Sequence, residues 1–241
     1  MTKSVAIDCF PSSVARYVDD YAIAAVDVIR ATTMAVTAVA GGRRCLVAAD
    51  IDDAFALRDR LGALLAGEIG GEMPEGFDMN NSPADLSARG DIDRPLVMLS
   101  TSGTSLMLNA SRSAHGAYIA CFRNFAATAR HLARGSGRVA LIGAGSLAEF
   151  REEDQMCCAW IADLLVNEGF RPESAKTAQI IERWRGAPAT ACETGNSVAY
   201  LRRSNQLHDF EFITAHVDDL DMVCSIDGNE VRVATEPATS G

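Results

Sequence analysis

The sequence predicts an α/β fold, a mainly parallel or mixed sheet covered by helices. Three observations carry this. From residue 22 onward short β-rich runs alternate with longer amphipathic ones, and such repetition implies parallel strands joined by helical crossovers. Asp50 and Asn124 stand where helices should begin, and Gly41 and Gly135 where they should end, as capping chemistry favours. At 241 residues, with 48% hydrophobic and 22% charged content, the chain can build one large domain or two intimately packed halves. Residues 1–241 are expected to form a single domain.

In chain order, Tyr21-Ala22-Ile23-Ala24-Ala25-Val26 is an unbroken apolar run, the mark of a buried strand. Ala31–Ala40 reads as a helix closed by Gly41-Gly42. Residues 45–49 read as a strand, and Asp50 or Asp52 caps a helix that continues through Leu65. Residues 67–95 break the rhythm with five glycines and three prolines, and a loop this long inside a compact domain is usually functional or disordered. Leu96–Leu99 is a strand, followed by a Ser/Thr/Gly turn and a helix over 104–109. Residues 117–121 form another strand, and Asn124 caps a helix carrying Phe125, Ala129 and Leu132 on its apolar face. A strand over 138–142 and a helix over 153–168 follow. Beyond residue 170 the pattern weakens: helical stretches near 174–185 and 196–206, a strand over 211–214, and a terminal hairpin of 222–226 with Glu230–Val233 across Asp227-Gly228-Asn229.

Composition narrows the function. A net charge of −10 argues against nucleic acid, whose phosphates need a basic footprint. No stretch approaches a membrane span, and MTKSVAIDCFPSS lacks the features of a signal peptide. Seven cysteines, odd in number and without a CxxC pair, suit a reduced cytoplasmic protein. The four histidines show no ligand spacing, so any metal should be a hard, oxygen-ligated one. An acidic protein that binds an anion needs local cations or a bridging divalent metal.

Three stretches carry such chemistry. In AVDVIRATT, Asp27 falls at a strand end and Arg30 near the next helix start, with Thr32 and Thr33 able to cap that helix or offer hydroxyls to a phosphate. An Asp–Arg pair that merely locks the turn fits the motif equally well. In GEIGGEMPEGFDMNNSP, Glu68 and Asp78 are hard donors suited to Mg²⁺, and Asn81 and Ser82 can orient a substrate or cap the segment after Pro83. In Thr101-Ser102-Gly103-Thr104 successive N–H groups and hydroxyls can form an anion nest. The acidic cluster ahead of residue 157 adds Asp154 as a reserve metal ligand. Gly143–Ala148 matches a dinucleotide pattern, but EFREED intervenes where its helix should open.

Together these motifs resemble the 2-phosphosulfolactate phosphatase (ComB-like) family: DVIRATT at 27–33, GE at 67–68, GFDMNNSP at 76–83, TSGT at 101–104, FRNF at 122–125 and EEDQ before the helix of 157–166. The resemblance covers residues 20–168 well and the last third loosely. It implies a three-layer α/β/α architecture and a Mg²⁺-dependent phosphatase of coenzyme M biosynthesis. The substrate implied is a small anionic phosphorylated one, a sulfonated 2-phospho acid. It points to Asp27, Arg30, Glu68, Asp78, Asn81 and the 101–104 turn, with Asn124 in FRNF as a further substrate contact. Ile69, Asn80 and Ser102 stand where the family usually has Arg, Gly and Asn. Expected partners are the substrate and at most a second copy in a homodimer, with neither nucleic acid nor membrane. The rival readings are a family member that binds anions without turnover and a nucleotide-dependent oxidoreductase.

Overall fold

The computed structural model describes residues 3–146 and 149–235. The first strand, β1 (Ser4–Cys9), leads through a 3-10 turn at Pro11–Arg16 to β2 (Ala22–Val26). Helix α1 (Ala31–Ala40), β3 (Cys45–Val47) and α2 (Ile51–Leu61) follow. Helix α2 stops four residues before the predicted end. Gly62 takes a left-handed conformation at φ 63° and closes the helix, which frees the buried Leu64–Gly67 to form β4. The long loop contains a single helical turn, α3 (Pro83–Ser87), capped by the Ser82 side chain. Next come β5 (Leu96–Leu99), α4 (Gly103–Ala110), β6 (Ala117–Ala120), α5 (Phe125–Gly135), β7 (Arg138–Gly143) and α6 (Glu152–Asn167).

The last third holds β8 (Arg171–Pro172), α7 (Ala175–Trp184), α8 (Asn196–Arg203) and α9 (Leu207–Ala215), then β9 (Cys224–Asp227) and β10 (Glu230–Val233). The strand expected over 211–214 is part of α9. DFEFIT alternates like a strand, but its buried apolar residues Phe210 and Ile213 are three apart and share one helical face.

The ten strands form one mixed sheet in the order β4-β5-β3-β10-β9-β6-β2-β7-β1-β8. Parallel pairings join β4, β5 and β3 on one side, and β6, β2, β7, β1 and β8 on the other. The β9–β10 hairpin lies between these blocks, antiparallel to β6 and to β3. The predicted hairpin is therefore real, and it is the piece that makes two parallel blocks a single sheet. Both faces are covered, so the architecture is α/β/α. Along β2, Ile23 and Ala25 meet α1 and α4, while Ala22, Ala24 and Val26 meet the layer containing α5, α6 and α7. Helix α2 and Phe77 cover that second face over β3, β5 and β4. No helix among the described residues is long and apolar enough to cross a membrane.

Candidate active site

The site begins where β2 runs out. Thr32 closes the turn that follows: its N–H and its Oγ1 both donate to the Asp27 carbonyl, at 2.9 and 2.8 Å, and Oγ1 accepts from the Asp27 N–H at 2.9 Å. The Thr33 hydroxyl donates to the Val28 carbonyl at 2.8 Å. Both threonines are buried and spend their hydroxyls on the turn. Asp27 Oδ1 accepts the Ala31 N–H at 3.2 Å, while Oδ2 takes no hydrogen bond among the described residues and faces Gly103. A Cβ at residue 103 would lie 2.2 Å from that oxygen and 2.4 Å from the Ala31 Cβ, so only glycine lets α4 begin this close to Asp27.

Arg30 is buried and held on several sides. Its Nη1 donates to Asp209 Oδ2 at 2.6 Å and to Gln206 Oε1, and its Nη2 to Asn80 Oδ1 at 3.0 Å. Asp209 is fully buried on α9 and its Oδ1 also accepts from the Ser82 hydroxyl at 2.6 Å and the Ala84 N–H at 3.2 Å. One carboxylate thus fixes Arg30, the cap of α3 and α9 together. Sequence reasoning missed Asp209, which stands 179 positions from Arg30, just ahead of the segment read as a strand.

A pocket of about 360 Å³ opens over these groups. Asp27, Arg30 and Asn81 line it together with Glu68, Thr101 and Ser102. Gly145, Arg151 and Asp154 line it as well, with the α8 residues Asn196, Ser197, Tyr200 and Arg203. Glu68 fastens two loops: Oε1 accepts the Thr101 N–H at 2.8 Å, and Oε2 accepts the Gly71 N–H at 2.7 Å and the Thr101 hydroxyl at 2.8 Å. Gly71 in turn packs on Tyr200, whose hydroxyl donates to the Gly71 carbonyl. A larger cavity of about 960 Å³ adjoins the pocket along Arg151, Asp154 and Asn196.

Asp27 and Asp154 line this pocket, and the buried Glu153 acts on both through its charge. Burial raises the Asp27 pKa from the usual carboxylate value to about 7; the Glu68 and Glu153 charges add to the rise, and the Ala31 N–H and Arg30 oppose it. Asp154 rises well above the ordinary range, by burial first and then by the Asp27 and Glu153 charges. Its Oδ1 accepts from the Val28 N–H at 2.8 Å and its Oδ2 from the Gly145 N–H at 3.2 Å. Glu153 is buried, its carboxyl oxygens find no hydrogen-bond partner among the described residues, and burial raises its pKa too. The site stores proton affinity that a bound cation could take over.

Not every residue singled out in the sequence reaches the pocket. Asp78 lies outside it; its Oδ2 accepts from the Leu65 N–H at 2.8 Å and from Arg94 at 3.2 Å, so it braces β4. Asn124 stands before α5 but turns its side chain inward, accepting from the Cys121 N–H at 3.0 Å and donating to the Ile119 carbonyl at 3.1 Å. Thr104 closes the start of α4 on Ser100 through bonds of 2.8 to 3.1 Å, and Gly103 leaves room for Asp27. Ser82 caps α3. Of the 101–104 turn, Thr101 and Ser102 face the pocket, and Ser102 keeps its hydroxyl free of the described residues. Asn81 is buried with its Oδ1 unpartnered. At Gly143–Ala148, Leu147 and Ala148 lie outside the described residues. The Gly145 N–H is taken by Asp154, and α6 starts only at Glu152.

Comparison with known proteins decides the family. The family described as 2-phosphosulpholactate phosphatase matches residues 11–229. The chain belongs to the 2-phosphosulfolactate phosphatase family. A relative from Deinococcus radiodurans named "Probable 2-phosphosulfolactate phosphatase" is 33% identical over 211 residues, 86% of each chain. Relatives of the same name from Thermus thermophilus and Bacillus subtilis are 30% and 31% identical. The first aligns over 86% of this chain and 87% of its own, the second over 67% and 70%. The match runs well past residue 168, so the family's pattern includes α7, α8 and α9.

Proposed function

We propose that the pocket hydrolyses a small phosphate monoester with the help of Mg²⁺, and that 2-phosphosulfolactate, converted to sulfolactate and phosphate, is the substrate. The observation that carries this reading is the meeting of Asp27, Arg30, Asn81 and Ser102 with the Asp154 carboxyl in one small pocket. Arg30 and the free N–H and hydroxyl groups at the start of α4 face the phosphoryl oxygens, where negative charge must be held. Asp27 aligns a water on phosphorus and takes its proton; a carboxylate whose pKa has been raised to about 7 is a competent base near neutrality. The bond between phosphorus and the ester oxygen on carbon 2 breaks, and the proton that Asp27 took from water passes to the departing alcohol.

Among the described residues, no three His, Cys, Asp or Glu side chains form a ready-made metal cage. Mg²⁺ requires only one or two protein carboxylates and keeps its waters. Asp154 suits it: the Asp27 charge raises its proton affinity, and a divalent cation relieves that repulsion. When bound it neutralises phosphoryl charge. The setting we infer is the cytoplasm, where seven free thiols, six of them buried, stay reduced, and the pathway is that of coenzyme M. Incubating the purified protein with p-nitrophenyl phosphate tests the chemistry. Mg²⁺-dependent release of nitrophenol supports it; no release at any pH, with intact phosphate binding, would leave a protein that binds anions without turnover.

A further inference from the structure

Arg203 is the cation of this pocket that the protein itself leaves unanswered. Arg30 is neutralised by Asp209 at 2.6 Å. Arg151, with only 14% of its side chain exposed, reaches a largely exposed Glu149 at 3.3 Å. Arg203, exposed at the end of α8, lines the pocket and forms no ion pair among the described residues. Asn196, Tyr200 and Arg203 are spaced i, i+4 and i+7, so one face of α8 is turned to the pocket. Tyr200 pins that face against the loop that Glu68 fastens. Tyr200 gives its hydroxyl to the Gly71 carbonyl and Asn196 its amide to Glu149, which leaves the Arg203 guanidinium as the unpaired cation of this face among the described residues.

We propose that Arg203, assisted by Arg151, is the specificity-determining contact for the acid group of the substrate that is not the phosphate. This rests on the reading that the phosphoryl group occupies the Asp27 end. The substrate class is then a phosphate monoester with a sulfonate or carboxylate a few bonds from the ester oxygen, and monoesters of neutral alcohols are poor substrates. A guanidinium suits this task, since it offers paired N–H donors to two oxygens of one oxyanion. The cation supply of the pocket thus comes from α8 and the start of α6. Ile69, which stands where the family usually has Arg, is exposed and outside the pocket.

The test is calorimetric titration of sulfolactate and, separately, inorganic phosphate into the wild-type protein and into Arg203→Gln and Arg203→Lys. Because Arg203 is exposed and has no partner to orphan, the variants should fold, and melting temperature checks this. Loss of one charge-assisted contact should weaken sulfolactate at least ~tenfold in Arg203→Gln, with partial recovery in Arg203→Lys and a much smaller change for phosphate. Titration of lactate, which lacks the sulfonate, shows which acid group is held: if the sulfonate, lactate binds equally weakly to wild type and variant; if the carboxylate, it too weakens in the variant. Unchanged sulfolactate affinity in Arg203→Gln would overturn the proposal. So would an equal loss for phosphate, which would mark a general effect of charge, or failure of the wild type to bind sulfolactate. Absence of phosphate release by the wild type would defeat the phosphatase reading alone, since the titrations report on Arg203 without turnover.

Discussion

One wall of the pocket carries Asp27, Arg30, Glu68, Thr101 and Ser102 at the carboxyl ends of β2, β4 and β5; the other carries Arg151, Asn196, Tyr200 and Arg203 from the start of α6 and one face of α8. The first wall is locked. Its turn is stitched by Thr32 and Thr33, Arg30 is clamped by Asp209, and Glu68 is bonded to Thr101 and Gly71. The second wall is held by surface contacts: Asn196 and Arg151 share the exposed Glu149, Tyr200 reaches Gly71, and Arg203 is exposed and unpaired among the described residues. Chemistry benefits from the first arrangement, because pre-positioned dipoles need no reorganisation when charge develops. Recognition of a varied substrate tail benefits from the second. The contrast separates residues whose loss should damage turnover, with or without the fold, from those whose loss should alter selectivity alone.

The largest effect should come from Asp27→Asn. Removal of the base should lower kcat on the order of 10²–10⁴-fold. Stability should move the other way. Burial lifts the folded-state pKa of Asp27 to about 7 from the ordinary 3.8, so the native protein holds this proton more tightly than the unfolded chain. The wild type therefore loses stability as pH rises from about 4 to about 7. Asparagine does not titrate, and its oxygen can still accept the Ala31 N–H. The metal-free variant should melt higher than metal-free wild type at pH 8 and show a flatter pH profile. A collapsed melting temperature would make Asp27 a turn lock instead.

Arg30→Ala should fail on both counts. It leaves Asp209 charged and buried without its partner, costing about 3–5 kcal/mol of stability, and it removes at least ~2 kcal/mol of transition-state binding. Arg30→Ala combined with Asp209→Ala separates the two. Denaturant unfolding should show much of the stability restored, whereas kcat/KM stays low. Recovery of activity in the double variant would remove Arg30 from the chemistry and leave it a structural clamp.

Asp154→Asn and Glu68→Gln sharpen the contrast within the site's own carboxylates. Activity assays over a Mg²⁺ series should show a concentration requirement raised on the order of tenfold or more for Asp154→Asn. In Glu68→Gln, the main effect should be a higher KM, because the loop that closes on Tyr200 loosens. An equal rise in Mg²⁺ requirement for both would make the metal a bridge between the walls. The smallest effect should be that of Asp78→Asn: kcat unchanged, and at most ~1 kcal/mol of stability lost with its partly exposed Arg94 pair.

The same contrast explains what could be read from the sequence. DVIRATT was legible because a buried strand, a carboxylate and a helix start occur within one short stretch; the strand–helix alternation implied a helix-covered sheet, and the family resemblance implied its three layers. Strand β4 was not legible, since Ala63-Leu64-Leu65 continues the apolar pattern of α2 until the left-handed Gly62 is known. Neither was the central position of the β9–β10 hairpin, because nothing local says which strands will flank it. Asp209 and Arg203 carry no motif at all. Asp209 meets Arg30, and Arg203 the pocket, only when α8 and α9 fold back over the turn after β2, a tertiary event with no periodic signature. Asp78 looked like a metal donor for the opposite reason: its motif is strong, yet the Leu65 N–H and Arg94 draw its side chain away from the pocket.

The central claim is that this pocket is a Mg²⁺-dependent phosphatase site, and its most direct measurement is phosphate release from 2-phosphosulfolactate by the full chain, with Mg²⁺ and with EDTA. The expected result is steady multiple turnover that stops when the cation is chelated and returns when Mg²⁺ is added back. No release in Mg²⁺, or release that continues unchanged in EDTA, would contradict it.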